Sequence, residues 1–449
     1  MKRVDAAVIG GGILGCFTAR SLRRWSISTV LVEKENDVCL GITRANSAIV
    51  YAGYDNKPGS LKAELTVRGN ANMGSLCEEL EVPFSRCGSL LLTYDADSVP
   101  KLERKLQNGI RNGVPGLQML TGREAETMEP MLRPGVAAAL YAPTTGTVNP
   151  WQLGIAAYEN ALQNGAQAML ETEVLGIRKS GDGYILETNK GEIHCKMVFN
   201  CAGLHADRVQ ELIFEPSVRL RLDGAEYLVL DRMAPKPGRV FFHQARSCGK
   251  GITAIPCVEG NLLLSGTRRE LSRPWATTAE GLESLHHDAK NLLPRLELDR
   301  VIRSFGAVRP NPYLESGESL HDFCIQRPAP DFWSLIGIKT PGLTCAGELG
   351  LLLAAEGAAY LKAERNPYFD PHRKAIPTRK DEADYHEIVC RCEKITRGQI
   401  LAAIARGAKT VDAVKRRVGS GMGACQGSRC GWRIAKILKE TGANPDPIF

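Results

Sequence analysis

The stretch VDAAVIGGGILGC at residues 4–16, followed by STVLVE at residues 28–33, sets the way this chain begins to fold. Residues 4–9 and 28–33 are short apolar runs of strand length, and a helical pattern runs between them from about Ile13 to Trp25. That is a βαβ opening. Gly10-x-Gly12-x-x-Gly15 sits between the first strand and the helix. Gly10 permits a tight turn, Gly12 lets the backbone approach a pyrophosphate, and Gly15 lets helix and strand pack closely. The helix N-terminus adds free N–H groups and the positive end of a dipole. Glu33, 23 residues after Gly10, stands where it can accept hydrogen bonds from a ribose diol, and its acidity argues against a 2′-phosphate. Spacing alone does not separate NAD from FAD. One fingerprint in the whole chain favours a single, tightly held dinucleotide, and therefore FAD.

Outward from this opening, 449 residues are too many for one compact core and predict two or three domains. A composition of 43% hydrophobic and 24% charged residues excludes a disordered or low-complexity chain. The longest apolar run, Leu349 to Leu361, is broken by Glu356 and is too short to span a bilayer. Met1-Lys2-Arg3 superficially mimics a signal peptide. Asp5 and the glycine turn fit a nucleotide-binding strand better, so a cytoplasmic location is expected. Strand-like runs (Ser89–Tyr94, Val198–Cys201, Asn261–Ser265) then alternate with helical ones such as Trp151–Asn164.

The character changes between Arg365 and Asp384, where three prolines stand among many charges; this reads as a linker, bounded at about 369–385. Beyond it, Thr396-Arg397-Gly398-Gln399 is a capping box opening a helix to about Arg406. A second short helix is expected after Thr410 and a third from Cys430 to about Thr441. From Lys380 onward there are 13 Lys and Arg against 8 Asp and Glu, but no aromatic residues interleave with them as nucleic-acid binding would require, apart from Trp432. Of 14 cysteines, ten are scattered and read as small buried residues. The other four form Cys390-x-Cys392 and Cys425-x4-Cys430. Zinc and iron–sulfur clusters both accept four thiolates. The tight C-x-C and the glycines around the second pair favour a [2Fe-2S] cluster, whose negative charge Arg391, Arg429 and Arg433 would offset.

With both sites read, the chain resembles the FAD-dependent oxidoreductases of the D-amino-acid-oxidase type. Within them it is most similar to the branch of anaerobic glycerol-3-phosphate dehydrogenase large subunits and L-2-hydroxyglutarate oxidases. The likeness rests on TRANSAIVYAGY (43–54), KPGSLKA (57–63), NCAGLHAD (200–207), GKG (249–251) with GNLLL (260–264), and PGLT (341–344). The tail, with GMGACQG at 421–427, resembles the bacterioferritin-associated-ferredoxin-like [2Fe-2S] module.

The resemblance implies an α/β fold: a Rossmann-like FAD-binding domain, an inserted α+β substrate domain, and a small C-terminal helical [2Fe-2S] domain. The oxidoreductase would span 1–368, with FAD-binding segments at about 1–80, 145–215 and 330–368 and substrate segments at about 81–144 and 216–329. The cluster domain would span 386–449. Thr43, Asn46 and Ser47 would lie along flavin and pyrophosphate, Val174 and Gly203 near the adenosine half, and Gly342, Leu343 and Thr344 over the isoalloxazine. Arg309 matches the family's substrate arginine, suited to a carboxylate or phosphate.

Two departures stand out. Tyr51 replaces the branch's usual histidine, and a tyrosine with a pKa near ~10 is a poor base unless cations such as Lys57, Lys62 or Lys339 lower it. Cys345-Ala346-Gly347-Glu348 replaces the usual Ser-Pro-Ala. The implied function is oxidation of a small anionic alcohol, glycerol 3-phosphate or a 2-hydroxy acid. Tyr51, Arg309 and Lys339 would form the catalytic end, and electrons would pass through the cluster to a second flavoprotein, an electron-carrier subunit or a quinone-linked acceptor, with membrane association only through such a partner. The alternatives are an amino- or imino-acid dehydrogenase subunit and a non-catalytic electron-relay subunit.

Overall fold

The computed structural model describes residues 2–215, 217–243, 251–266, 269–270, 275–374 and 383–443. Gly249 and Lys250 of the GKG motif, Cys248, and residues 375–382 of the expected linker lie outside the described residues.

The opening unit forms as the sequence indicates: strand β1 (Lys2–Ile9), helix α1 (Ile13–Leu22) and strand β2 (Thr29–Val32). β1 is flanked in parallel by β2 on one side and by Gly191–Asn200 on the other. The sheet runs on through Gln167–Met169 at one edge and the antiparallel strands Gly183–Thr188 and Val174–Ser180 at the other, and Phe332–Ile336 also pairs in parallel with Gly191–Asn200. β2 is buried along its whole length, which is why its run is continuously apolar rather than alternating. Helices Pro150–Gln163 and Gly342–Leu361 pack with α1 over one face. Ala6, Val8, Phe17, Leu31, Leu153, Phe199 and Leu353 meet there in one core.

A second, nine-stranded sheet draws on two separate stretches of chain. Ser89–Thr93, Ala138–Ala142 and Gln118–Thr121 come from the first stretch; the long antiparallel pair Val218–Leu230 and Val301–Leu314 comes from the second. Its own core centres on Leu92, Leu228, Phe241, Leu264 and Leu285. The architecture is therefore a Rossmann-like sheet joined to an inserted α+β unit.

The tail holds helices Arg397–Ala405, Val411–Val418 and Gly431–Glu440 with a two-stranded hairpin. The Thr396–Gln399 capping box is formed in both directions. Ile400, Val414, Ile434 and Leu438 make a small private core. The region expected to be a linker behaves differently in its first part. The Asp370 N–H donates to Asn164, Arg373 pairs with Glu159 at 2.7 Å, and the Phe369 ring lies under Arg24. Proline and charge density suggested a tether; the carbonyls and charges are instead taken up by Asn160, Gln163 and Arg20 of the first unit.

The tail is bolted to the same surface. Asp37, buried, and Glu159, half-buried, receive Arg416 and Arg417 from Val411–Val418: Arg416 reaches Asp37 at 2.6 Å, and Arg417 reaches Asp37 at 2.7 Å and Glu159 at 3.2 Å. Arg416 also donates to the Val38 carbonyl at 2.7 Å. Burial alone would push the Asp37 carboxyl up, but Arg417 and Arg416 outweigh it and hold it below its ordinary value. Among the described residues no helix is long and apolar enough to cross a membrane.

Candidate active site and cluster site

A cavity of about 940 Å³ extends from the carboxyl ends of the parallel strands to the inner face of the second sheet. Gly10, at φ +101°, turns the chain where β1 ends, and a Cβ there would lie 2.6 Å from the Cys201 carbonyl oxygen. A Cβ on Gly15 would lie 1.9 Å from the Gly10 carbonyl oxygen, so α1 and β1 meet at a distance only glycine allows. Gly12 is the N-cap of α1 and brings no side chain; Thr43 Oγ1 accepts the Ile13 N–H at 3.0 Å. Gly342 and Leu343, also on the wall, begin a second helix whose N-cap, Pro341, makes no side-chain bond. Two helix N-termini thus end at one cavity, which suits the charged and electron-rich parts of FAD. Glu33 closes the end of β2, its carboxylate accepting the Gly11 N–H at 2.5 Å and the Glu35 N–H at 2.9 Å. Burial raises its pKa. The residues present fit a dinucleotide.

The other expected cofactor residues divide. Gly203 lines the same end of the cavity, together with Lys34 and His205, which are 3.5 Å apart and were not anticipated. Asn46 and Ser47 also line the wall, and the Asn46 side chain shapes the loop as well: it donates to the Thr43 carbonyl (2.9 Å) and accepts the Ala48 N–H (2.8 Å). Thr344 lies behind the wall, where its hydroxyl accepts the Tyr51 N–H at 3.0 Å. Val174 sits in its edge strand, packed on that sheet's core and away from the cavity.

At the far end the structure brings together Tyr51, Arg309 and Lys339 with Lys62, Tyr227, Phe242, His243 and Trp275. Tyr51 stacks on Phe242 at 6.0 Å, and its hydroxyl is 3.4 Å from Ser47 Oγ. Burial pushes its phenol above the ordinary value, outweighing the Ser47 hydrogen bond and the Arg309 charge, so the lowering by cations that the sequence allowed does not occur. Arg309 stands on Val301–Leu314 opposite Asp223. Lys339, itself buried, donates to the Leu320 carbonyl at 2.8 Å, which anchors it on the cavity wall. Burial lowers the Lys62 pKa, and the like charge of Arg309 lowers it further. The aromatic wall was missed because residues 225–230 and 240–243 carry only a strand pattern, and alternation says nothing of what a strand faces. Cys345-Ala346-Gly347-Glu348 serves packing: Cys345 touches Thr66, and Glu348 binds Arg68 and Asn72 on the adjacent helix Leu61–Glu79.

The four cysteines of the tail form two pairs. Cys392 and Cys425 sulfurs are 3.5 Å apart, and Cys390 hydrogen-bonds Cys430. Two pairs match a cluster whose irons each take two thiolates. The Gly421 N–H points at Cys390 Sγ (3.5 Å), and a Cβ on Gly423 would lie 2.6 Å from Cys392 Cβ, so the glycines do bring backbone against sulfur. Cys390 and Cys430 are buried, whereas Cys392 is exposed and Cys425 half-exposed. Of the scattered cysteines, Cys87, Cys257 and Cys324 are only half-buried, against expectation.

Residues 5–356 match the family described as FAD dependent oxidoreductase, and residues 388–440 match the BFD-like [2Fe-2S] binding domain. The chain is 39% identical over 466 residues to a glycerol 3-phosphate dehydrogenase of Caloramator mitchellensis, an alignment covering 99% of this chain and 96% of that one. The mitochondrial L-2-hydroxyglutarate dehydrogenase of Homo sapiens is 33% identical over 241 residues, half of each chain (50% and 52%). The structure of dithionite-reduced L-alpha-glycerophosphate oxidase from Mycoplasma pneumoniae with FAD bound aligns with a TM-score of 0.77 at 26% identity, covering 84% of this chain and all (100%) of that one.

Proposed function

We propose, for a chain that belongs to the FAD-dependent oxidoreductase family and ends in a BFD-like [2Fe-2S] domain, that its substrate is glycerol 3-phosphate and that its electrons leave for a separate carrier. FAD supplies a two-electron acceptor and the cluster a one-electron carrier. The observation that carries the substrate reading is the pairing of Arg309 with Lys62 at the Tyr51 end of the cavity. Two cations on the wall of one cavity suit an anionic substrate, and a phosphomonoester carries close to two negative charges at neutral pH. Arg309 presents a planar fork to the phosphate, and Lys62 adds a point charge. The aromatic wall of Tyr227, Phe242 and Trp275 keeps water from the carbon being oxidised.

Tyr51 keeps its proton at neutral pH, so its role is to donate a hydrogen bond to the substrate oxygen or to Ser47, and it is not the base. Tyr51→Phe is therefore expected to lower kcat only about fivefold, the worth of one neutral hydrogen bond. A loss beyond a hundredfold in steady-state assays would show that the phenol moves the proton. Lys62→Met is expected to raise KM roughly tenfold, as loss of one charge-assisted contact does. Because the Lys62 pKa is lowered, wild-type affinity should weaken on the alkaline side before the ordinary lysine value of 10.5 is reached. The variant should lack that limb of the pH profile.

The deciding experiment is anaerobic mixing of the yellow holoprotein with glycerol 3-phosphate, 2-hydroxy acids and amino acids. Bleaching of the flavin band by glycerol 3-phosphate alone supports the proposal. Bleaching by a hydroxy acid or an amino acid reassigns the substrate, and no bleaching leaves only the relay reading.

A further inference from the structure

Electrons that enter this chain must leave it, and the geometry points to one exit: the exposed flank of the cluster site, with an acidic one-electron carrier protein as the partner that docks there. This deepens the reading above and rests on it for the direction of electron flow, though not for the docking.

Of the four cysteines, Cys390 and Cys430 face the interior of the tail and Cys392 faces solvent, so one side of the site is open. The turn that carries Cys425 and Cys430 runs directly into helix Gly431–Glu440. The outward positions at this turn and helix are Arg429, Trp432, Lys436 and Lys439; the last three are spaced i, i+4, i+7 and so share one face. Trp432 is 56% exposed, more than any other tryptophan in the described structure, and the Arg433 guanidinium lies 5.4 Å from its ring centre. Arg391 and Lys394, flanking the exposed Cys392, are exposed as well.

The acids that would neutralise this flank are already taken. Glu393 is held at 2.6 Å by Arg232, just beyond strand Val218–Leu230, and Glu440 by Arg397 at 2.9 Å. Arg391, Lys394, Arg429, Lys436 and Lys439 have no carboxylate partner among the described residues. The result is a single-sign basic face with one large aromatic at its centre, beside the open side of the metal site. A basic rim steers an acidic partner and sets the encounter rate, and a central tryptophan supplies the anchor. Each encounter moves one electron: the chain is oxidised by one, the carrier's redox centre is reduced by one, and no proton or ligand is exchanged. Two encounters discharge the pair that one substrate delivers.

The test uses the full-length holoprotein reduced with dithionite, which makes it independent of the substrate. In stopped flow it is mixed with ferric cytochrome b5, an acidic haem protein, or with ferric cytochrome c, a basic one. Wild type should reduce the acidic cytochrome at least tenfold faster at low salt, with a rate that falls as salt is added. Lys436→Glu with Lys439→Glu should lower that rate about tenfold and flatten its salt dependence. Trp432→Ala should slow the rate while the salt slope persists. Calorimetry of the oxidised holoprotein with ferric cytochrome b5 should show the same loss of affinity without any turnover. Charge-reversed protein that binds and reduces cytochrome b5 as wild type does overturns the proposal, as does wild type that prefers the basic cytochrome. A third overturning result is binding to phosphatidylglycerol vesicles that the reversal abolishes while cytochrome reduction is untouched; the face would then be a membrane surface. If glycerol 3-phosphate fails to bleach the flavin but these rates behave as stated, the substrate reading fails and the docking face stands.

Discussion

Arg309→Leu is expected to lower kcat/KM for glycerol 3-phosphate roughly 10³-fold, about 4 kcal/mol, while the flavin spectrum and the thermal midpoint stay close to wild type. The size follows from what is removed. A bidentate, charge-assisted contact to phosphate is lost, and the phosphate, already stripped of water inside the cavity, is left with Lys62 alone. The arginine sits in the middle of the long strand Val301–Leu314, held by its ladder with Val218–Leu230, so a leucine, shorter and uncharged, should leave that backbone where it is. KM should account for most of the loss. Added inorganic phosphate should inhibit wild type competitively and the variant hardly at all. A variant within fivefold of wild type would remove Arg309 from the site.

Asp37→Asn should be the most damaging single change far from the cavity's substrate end. It keeps the shape of the side chain but strips the negative charge to which Arg416 and Arg417 are both bound, leaving buried Arg416 with the exposed Asp412 and Arg417 to share Glu159 with Arg373 and Arg406. Breaking a buried pair from one side costs about 3–5 kcal/mol. The tail should come loose before the rest unfolds, seen as a separate early transition in calorimetry. Glycerol 3-phosphate should still bleach the flavin, whereas loss of the cluster's visible band should slow sharply. Removing the opposing charges as well, with Arg416→Met and Arg417→Met added, should recover part of the lost stability, because no charge is then stranded. Since the Asp37 carboxyl is held below its ordinary value of 3.8, this contribution is complete above that pH and fades only on further acidification. A single transition unchanged from wild type would mean the network does not hold the tail.

Both cofactor sites were legible in the sequence because each depends on a local pattern: glycines that must turn or yield space between β1 and α1, and thiols at fixed spacing beside more glycines. The three tail helices were legible for the same reason, since Thr396, Gly407 and Thr410 mark their ends within a few residues. What could not be read was anything assembled from distant chain. Asp37 and Arg417 are 380 residues apart, and no pattern in either neighbourhood announces the other. Phe242 and Trp275 look like ordinary strand and loop residues until the second sheet is laid over the first. The segment around Asp370 misled because proline and charge usually mean exposure, whereas here the carbonyls meet Asn160 and Asn164 at the C-terminal end of helix Pro150–Gln163.

The loop at 37–44 carries a consequence of its own. Its first residues clasp the tail, and Leu40 to Arg44 form part of the cavity wall. Appending such a tail to a shorter oxidase would need more than a flexible joint. The recipient would need acids at the positions of Asp37 and Glu159, and a donor shortened to its first 374 residues would keep Arg373 on Glu159 but leave Asp37 without either of its arginines beside the flavin pocket. Modularity in this architecture is therefore paired: the electron-carrying appendage and the acids that receive it have to be inherited together.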